Sequence, residues 1–146
     1  MPRIALGLEY DGTDFIGWQS QPSGRSVQDT LAAAVSFVAD ETVTVHGSGR
    51  TDTGVHALQQ VAHFDAAVDR TPRQWLLGIN SQLPPDVAVR WVHAVPQDFD
   101  ARRSALRRRY RYTILQQAAR PALLRARVWW LRDPLDCAAM TAAAAG

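Results

Sequence analysis

Residues 47–57 have the sequence GSGRTDTGVHA, a glycine-rich stretch with a single carboxylate, Asp52, two positions after Arg50. The preceding residues 42–46, TVTVH, alternate in a way that predicts a strand, and residues 60–64, QVAHF, predict a second strand. Asp52 is therefore expected in a loop that connects two neighbouring strands. Because side chains two positions apart on an extended chain face the same way, Arg50 is expected to pair with Asp52 and favour its ionised form.

Several interpretations of this loop compete. It is a plain surface loop with an ion pair, or a loop that cradles phosphate, although its glycine spacing misses the dinucleotide pattern and no lysine follows. The triplet at residues 52–54, Asp-Thr-Gly, also occurs in aspartic proteases. That chemistry needs two carboxylates that share a proton, which an adjacent arginine opposes. A further interpretation, a catalytic carboxylate, depends on a resemblance described below.

The chain on both sides of the loop predicts an α+β fold. Strands are predicted at residues 3–10, 42–46, 60–64 and 86–92, and helices at residues 27–39 and 72–83. Ser26 is the expected N-cap of the first helix, with Asp29 as the acidic partner of a capping box, and Thr71 is the expected N-cap of the second. The order βαββαβ is that of a ferredoxin-like antiparallel sheet with helices on one face.

Composition narrows the class of protein. The chain has 146 residues, of which 47% are hydrophobic and 21% charged, as in ordinary globular proteins. No apolar run approaches a membrane span, and Cys137 is the single cysteine, so a reduced, cytoplasmic setting is expected. His46, His56 and His63 have spacings that fit no zinc pattern, so no metal is predicted. His56 is instead expected to fix the loop by hydrogen bonding.

Charge is unevenly distributed along the chain. Residues 1–98 hold six Arg against eleven Asp and Glu, whereas residues 99–146 hold ten Arg against three Asp. All sixteen cationic residues are arginine, which suits bidentate phosphate contacts and stacking on bases. The concentration of arginine in one segment favours a polyanionic partner over a merely solvated basic face.

The C-terminal part predicts further elements. Residues 107–114 alternate as a strand with Tyr110, Tyr112 and Ile114 on one face. A short strand is predicted at residues 128–130, and residues 133–136 are expected to open a helix. Domain boundaries are predicted as a ferredoxin-like half at residues 1–115 and a connecting segment with the start of a helix at residues 116–146.

Several motifs together resemble the TruA family of tRNA pseudouridine synthases. They are RTDTGVHA at residues 50–57, YDG at 10–12, GWQSQ at 17–21, RSVQ at 25–28, NSQLP at 80–84, ARRSA at 101–105 and RRYRY at 108–112. The resemblance covers nearly all of this chain but about the first half of a family protein. It implies one half of a two-half fold, in which a second, similar half forms the other wall of the active cleft.

The resemblance also implies an activity and its residues. The family converts uridine to pseudouridine on the 3′ side of the tRNA anticodon arm, without metal or organic cofactor, and its members are expected to be homodimers. The implied catalytic residues are Asp52, as the carboxylate near ribose C1′, and Arg50. Tyr110 is implied to stack on the target base. Phosphate contacts are expected from Arg25, Arg102 and Arg107.

A non-catalytic RNA-binding module is the alternative. RNA-recognition domains share the βαββαβ order, but no strand of this chain carries the aromatic pattern that those domains use for stacking. A pure binding module also has no need of the Arg-x-Asp-x-Gly loop at residues 50–54. These features favour an enzyme, so the binding module is kept as the second hypothesis.

Overall fold

An eight-residue strand, β1 (Arg3–Tyr10), lies between two antiparallel partners in the computed structural model, which describes residues 1–145. The chain continues with α1 (Val27–Ala39), β2 (His46–Gly47), β3 (Ala57–Asp65), α2 (Pro72–Gln82) and β4 (Val87–Val95). The strand order is β2-β3-β1-β4, and each neighbouring pair is antiparallel. This confirms the predicted ferredoxin-like α+β fold.

The two helices begin where the sequence predicted. The Ser26 side chain accepts the N–H of Asp29 at 3.1 Å, and the Thr71 side chain accepts the N–H of Gln74 at 3.2 Å. Each bond satisfies a backbone donor that has no partner within the helix. The Asp29 carboxylate does not complete a capping box as predicted, because it accepts a hydrogen bond from the Ser20 hydroxyl at 2.9 Å.

One face of the sheet packs against both helices. Ile4, Leu6 and Leu8 alternate along β1, so they face the same side, and each is at most 4% exposed. They belong to a single buried cluster with residues of α1 and α2. Phe64 of β3 meets Trp75 of α2 edge to face, with ring centroids 5.0 Å apart. The core therefore fixes the sheet and places the end of β1 beside the start of β3.

Strand β2 is shorter than the sequence predicted. The predicted strand at residues 42–46 contributes only His46, and β2 continues to Gly47. Side chains of α1 take up the backbone groups before it: Val43 donates its N–H to the Ser36 hydroxyl at 2.9 Å, and the Val45 carbonyl accepts from Gln28 at 3.0 Å. The alternating valines are nevertheless buried as expected for this pattern.

The described chain forms two compact units, residues 1–108 and residues 109–145. In the second unit, β5 (Ile114–Gln116) pairs in parallel with β6 (Trp129–Leu131), and α3 (Cys137–Ala144) begins after the N-cap Asp136. The short strand and the helix predicted in this region are therefore present, with the strand shifted by one residue. The predicted domain boundary at residues 115 and 116 stays a prediction.

The strand predicted at residues 107–114 is wrong. Residues 105–113 have no regular secondary structure, and only Ile114 of the predicted span lies in a strand. A strand needs a hydrogen-bonded neighbour, and none of the described strands pairs with residues 107–113. The alternation of Tyr and Arg was real, but alternation alone does not supply a partner.

Candidate active site

The motif loop, residues 47–57, runs from the last residue of β2 to the first residue of β3. Ser48 donates its N–H to the Val61 carbonyl at 2.8 Å, which extends the β2–β3 pairing into the loop. The buried Gln60 side chain donates to the Gly49 carbonyl at 2.6 Å. An added Cβ at Gly47 would lie 2.5 Å from the Trp18 ring, so glycine is required for this close approach. The start of the loop is thus fixed by β3 and by Trp18.

A second loop, residues 11–18 and here called the β1 loop, packs against the motif loop. The backbone N–H of Trp18 donates to the Thr51 carbonyl at 3.1 Å, and the Thr53 hydroxyl donates to the Ile16 carbonyl at 2.8 Å. The Gly12 N–H donates to His56 Nδ1 at 2.9 Å. The expectation that His56 fixes the loop by hydrogen bonding is therefore confirmed.

Gly17 allows the two loops to approach each other closely. It has φ +122°, a backbone conformation that residues with a side chain rarely adopt. An added Cβ would also lie 2.4 Å from the Thr51 carbonyl oxygen. Gly54 in the motif loop also has positive φ, at +80°, but an added Cβ there would meet no atom within 4 Å. Gly17 is therefore constrained by both conformation and space, and Gly54 by conformation alone.

Asp52 is exposed and lines an open cavity of about 510 Å³. The lining residues come from the β1 loop, the chain that follows it and the motif loop: Ile16, Gln19, Gln21, Ser23, Arg50, Thr51, Asp52 and Thr53. Among residues 1–145, no hydrogen bond or ion pair joins the Asp52 carboxylate to another side chain. The carboxylate is therefore available to a molecule that enters the cavity.

The predicted ion pair between Arg50 and Asp52 is not formed. Among the described residues, none of the ion pairs within 4.0 Å joins these two side chains, although both line the cavity. The prediction assumed an extended strand, but residues 50–52 lie in a loop with no regular secondary structure. Thr51, between them, is instead fixed by Trp18. The cavity thus presents a cation and an anion separately.

Arg25 lies just before α1 and already has partners in the protein. Its guanidinium forms two hydrogen bonds with the Asp86 carboxylate, at 2.7 and 2.9 Å, and lies 4.0 Å from the centre of the Phe15 ring. The bidentate contact lowers the pKa of Asp86 and raises that of Arg25. Its predicted contact with phosphate stays a prediction, and any such contact competes with Asp86.

Arginines of the basic segment, residues 102–111, differ in their contacts. Arg102 and Arg107 are exposed, which is compatible with their predicted phosphate contacts and does not test them. Arg108 instead donates to the carbonyls of Ser48 at 3.0 Å and Arg102 at 2.9 Å. Arg108 therefore ties the end of the first unit to the start of the motif loop, a role that its position in an arginine run did not indicate.

Tyr110 belongs to the second unit, where its side chain is 65% exposed. The predicted stacking on a base needs an exposed ring, so this exposure is compatible with the prediction and does not test it. Sequence reasoning missed two other residues of the first unit, Tyr10 and Gln60, which contact the motif loop from the sheet. The signal was present in part, because Tyr10 opens the YDG motif and ends a predicted strand.

Within residues 1–145, no group of three or more His, Cys, Asp or Glu side chains is placed to hold a metal ion. None of the helices in this part of the chain is long and apolar enough to cross a membrane. The polar side chains that line the cavity comprise one carboxylate, one guanidinium, amides and hydroxyls.

The chain is similar to known tRNA pseudouridine synthases. A family model described as tRNA pseudouridine synthase matches residues 8–102. A protein of Alcanivorax borkumensis named tRNA pseudouridine synthase A is 56% identical over 145 residues, which cover 99% of this chain and 54% of that protein. The protein of that name from Dechloromonas aromatica is 56% identical over 138 residues, 94% of this chain and 53% of the relative.

The relative of the same name from Escherichia coli strain SMS-3-5 is 52% identical over 142 residues, 97% of this chain and 53% of that protein. The chain therefore spans about half the length of the curated relatives that it matches.

Proposed function

Because the chain belongs to the tRNA pseudouridine synthase family, we propose that it supplies the Asp52-bearing half of an enzyme that converts uridine to pseudouridine in the anticodon arm of tRNA. The observation that carries this proposal is the state of Asp52. Its carboxylate lies in an open cavity, inside the RTDTGVHA motif, and no other side chain among residues 1–145 binds it.

The reaction is an isomerisation that needs one carboxylate near the sugar. The bond from ribose C1′ to N1 of uracil breaks, the base turns, and C1′ joins C5, which then loses its proton while N1 gains one. Asp52 either attacks C1′ or removes a sugar proton, and both routes need an ionised carboxylate with no competing partner. Uracil is its own leaving group and returning nucleophile, so the chemistry requires no metal or organic cofactor.

Recognition of the target requires the uridine to leave the stack, at a cost of a few kcal/mol. We propose that Arg50 occupies the space that the base vacates, since it lines the cavity without pairing to Asp52. Tyr110 is proposed to stack on the extruded base. Arg102 and Arg107 are proposed to bind phosphates, with Arg25 as a further contact.

We also propose a cytoplasmic homodimer. Substrate tRNA is a cytoplasmic molecule in bacteria, and the single Cys137 fits a reducing compartment. Light scattering on the chain joined to the second half of its Escherichia coli relative, here called the extended chain, measures the oligomeric state. A monomer at all concentrations contradicts the homodimer and leaves the activity untouched.

The proposed activity is tested with unmodified tRNA. The 146-residue chain and the extended chain are incubated with it, and pseudouridine is measured by mass spectrometry of the digested RNA. We expect pseudouridine from the extended chain, and weak tRNA binding with little or no turnover from the chain alone, since family sites lie between two halves. Full activity of the chain alone refutes the need for a second half. If the extended chain binds tRNA but forms no pseudouridine, the non-catalytic binding module is favoured.

A further inference from the structure

We propose that Tyr10 and Thr51 form a positioning pair that sets the place of Asp52 for the reaction. This inference rests on the proposed function and adds two residues to it. Neither side chain is assigned a role by the motif comparison.

Tyr10 is the last residue of β1 and is fixed from both sides. Its backbone lies opposite Ala57 of β3 and Val87 of β4, and its side chain is 4% exposed. The ring packs edge to face on Phe15, with centroids 6.5 Å apart. At the end of this buried ring, the hydroxyl lies 2.8 Å from the Thr51 hydroxyl. The core therefore presents a fixed polar atom to the motif loop.

Thr51 is constrained at two atoms by two different elements. Its hydroxyl bonds to Tyr10, and its carbonyl accepts the Trp18 N–H at 3.1 Å. The residue after Asp52 is constrained as well, since the Thr53 hydroxyl donates to the Ile16 carbonyl. Asp52 thus has a fixed backbone on both sides and a carboxylate that no other described side chain binds.

The Tyr10 hydroxyl serves as a neutral hydrogen-bonding group. Burial raises the pKa of Tyr10, while the hydrogen bonds with Thr51 and Gln60 partly oppose this. Tyr10 therefore stays protonated at neutral pH and cannot act as the base of the reaction. Its buried position beneath the loop also keeps it away from substrate, so its contribution is to position Asp52.

Loss of this contact should affect turnover more than binding. A misplacement of about 1 Å at a reacting group can cost about 10²-fold in rate. Arg102 and Arg107, the exposed arginines proposed to bind tRNA, form no hydrogen bond with Tyr10 in the described part of the chain. We therefore expect Tyr10→Phe in the extended chain to lower kcat about 10- to 100-fold and to change KM for tRNA less than about threefold.

The matched variants separate positioning from general destabilisation. Thr51→Val should reproduce the loss in kcat. Thr51→Ser keeps the hydroxyl and should therefore retain most of the kcat of the unmodified extended chain. The double variant Tyr10→Phe/Thr51→Val should be no slower than Thr51→Val alone, because both changes break one contact. Ser36→Ala is the control, since it removes a partly buried hydroxyl near the C-terminal end of α1, where that hydroxyl bonds to Val43 and not to the motif loop. It should leave kcat unchanged.

A second measurement does not depend on activity. Hydrogen exchange of the 146-residue chain should be faster across residues 50–54 in Tyr10→Phe than in the unmodified chain, with α1 unchanged. Equal exchange, or additive losses in kcat in the double variant, overturns the positioning pair. If the unmodified extended chain forms no pseudouridine, the proposed function fails. If it is active and Tyr10→Phe keeps its kcat, this inference alone fails.

Discussion

The motif loop and residues 105–113 are both proposed to meet tRNA, and both lack regular secondary structure over most of their length. Backbone and side-chain hydrogen bonds from β1, β3 and the β1 loop fix the motif loop. In residues 105–113, by contrast, Leu106, Tyr110 and Tyr112 are 100%, 65% and 90% exposed.

The two stretches differ in which interactions offset the entropy that each loses when it becomes ordered. Contacts within the first unit offset the conformational entropy lost by the motif loop, so its shape is set before any substrate arrives. Residues 105–113 make few such contacts, apart from those of Arg108. If they order on RNA, that cost is taken from the binding free energy. The two stretches should therefore respond differently to substitution.

The largest effect is expected at Asp52. In the extended chain, Asp52→Asn keeps the shape of the side chain but removes its charge, so we expect pseudouridine formation to fall by about 10³-fold or more. Melting temperature and tRNA affinity should change little, because no other described side chain binds the carboxylate. Asp40→Asn is the matched control, since Asp40 is an exposed C-cap with φ 54°, a conformation that Asn tolerates. Normal yield from Asp52→Asn would overturn the assignment.

The close approach of the two loops is tested by two glycines. Gly17→Ala should lower the free energy of unfolding by about 3 kcal/mol, from a strained φ together with a clash against the Thr51 carbonyl. Gly54→Ala meets open space and should cost about 1–2 kcal/mol, from conformation alone. Urea unfolding of the 146-residue chain measures both. Equal costs would mean that the β1 loop moves aside freely.

The exposed arginines should make the affinity for tRNA depend on salt concentration. Arg107→Gln and Arg111→Gln are each expected to flatten the slope of log affinity for tRNA against log salt by about one unit, if each loses one phosphate contact. Arg73→Gln removes an exposed arginine from α2 and should leave the slope unchanged. Filter binding between low and moderate salt gives the slopes. Unchanged slopes for Arg107 and Arg111 would indicate that these side chains only solvate the surface.

A smaller, pH-dependent effect is expected at His63, which is 4% exposed. Its Nδ1 accepts the Ala101 N–H at 3.0 Å, so the bond requires the deprotonated nitrogen. Burial lowers the pKa of His63, and nearby Arg3 and His46 add to this, while Asp100 and Asp65 oppose it.

The unfolded chain therefore binds the proton first as the pH falls. The contribution of His63 to the free energy of unfolding should be complete above its pKa in the unfolded chain, about 6.5. This contribution should be lost as the pH falls towards the lower pKa of His63 in the folded protein. His63→Gln should flatten this part of the profile, measured by urea unfolding between pH 7.5 and 5. The same slope in both proteins would assign it to another group.

Much of the fold followed from local signals in the sequence. The N-caps Ser26 and Thr71 each bond to a residue three positions further on, and the alternation of residues 3–10 correctly predicted a strand. The strand at residues 107–114 failed because pairing depends on a partner that alternation does not reveal. The Arg50–Asp52 pair failed for a related reason, since spacing gives side-chain direction only in an extended chain.

The candidate site shows the same division. The sequence identified Asp52 and Arg50, and both line the cavity, but it did not identify the contacts that fix them. Tyr10 and Thr51 are 41 residues apart, and their contact exists only after β1 and β3 have paired. Long-range contacts of this kind cannot be deduced from local pattern, although a strand end beside a glycine-rich loop indicates where to look.

The packing of the β1 loop on the motif loop has a kinetic consequence. Three of the side-chain hydrogen bonds that join residues 10–16 to residues 51–56 span 37, 41 and 44 positions of the chain. Such contacts close large loops, so they form late on the folding pathway, after the sheet has assembled. Substitutions there should speed unfolding and leave the folding rate nearly unchanged. In a nascent chain, the cavity around Asp52 would be among the last parts of the first unit to take shape.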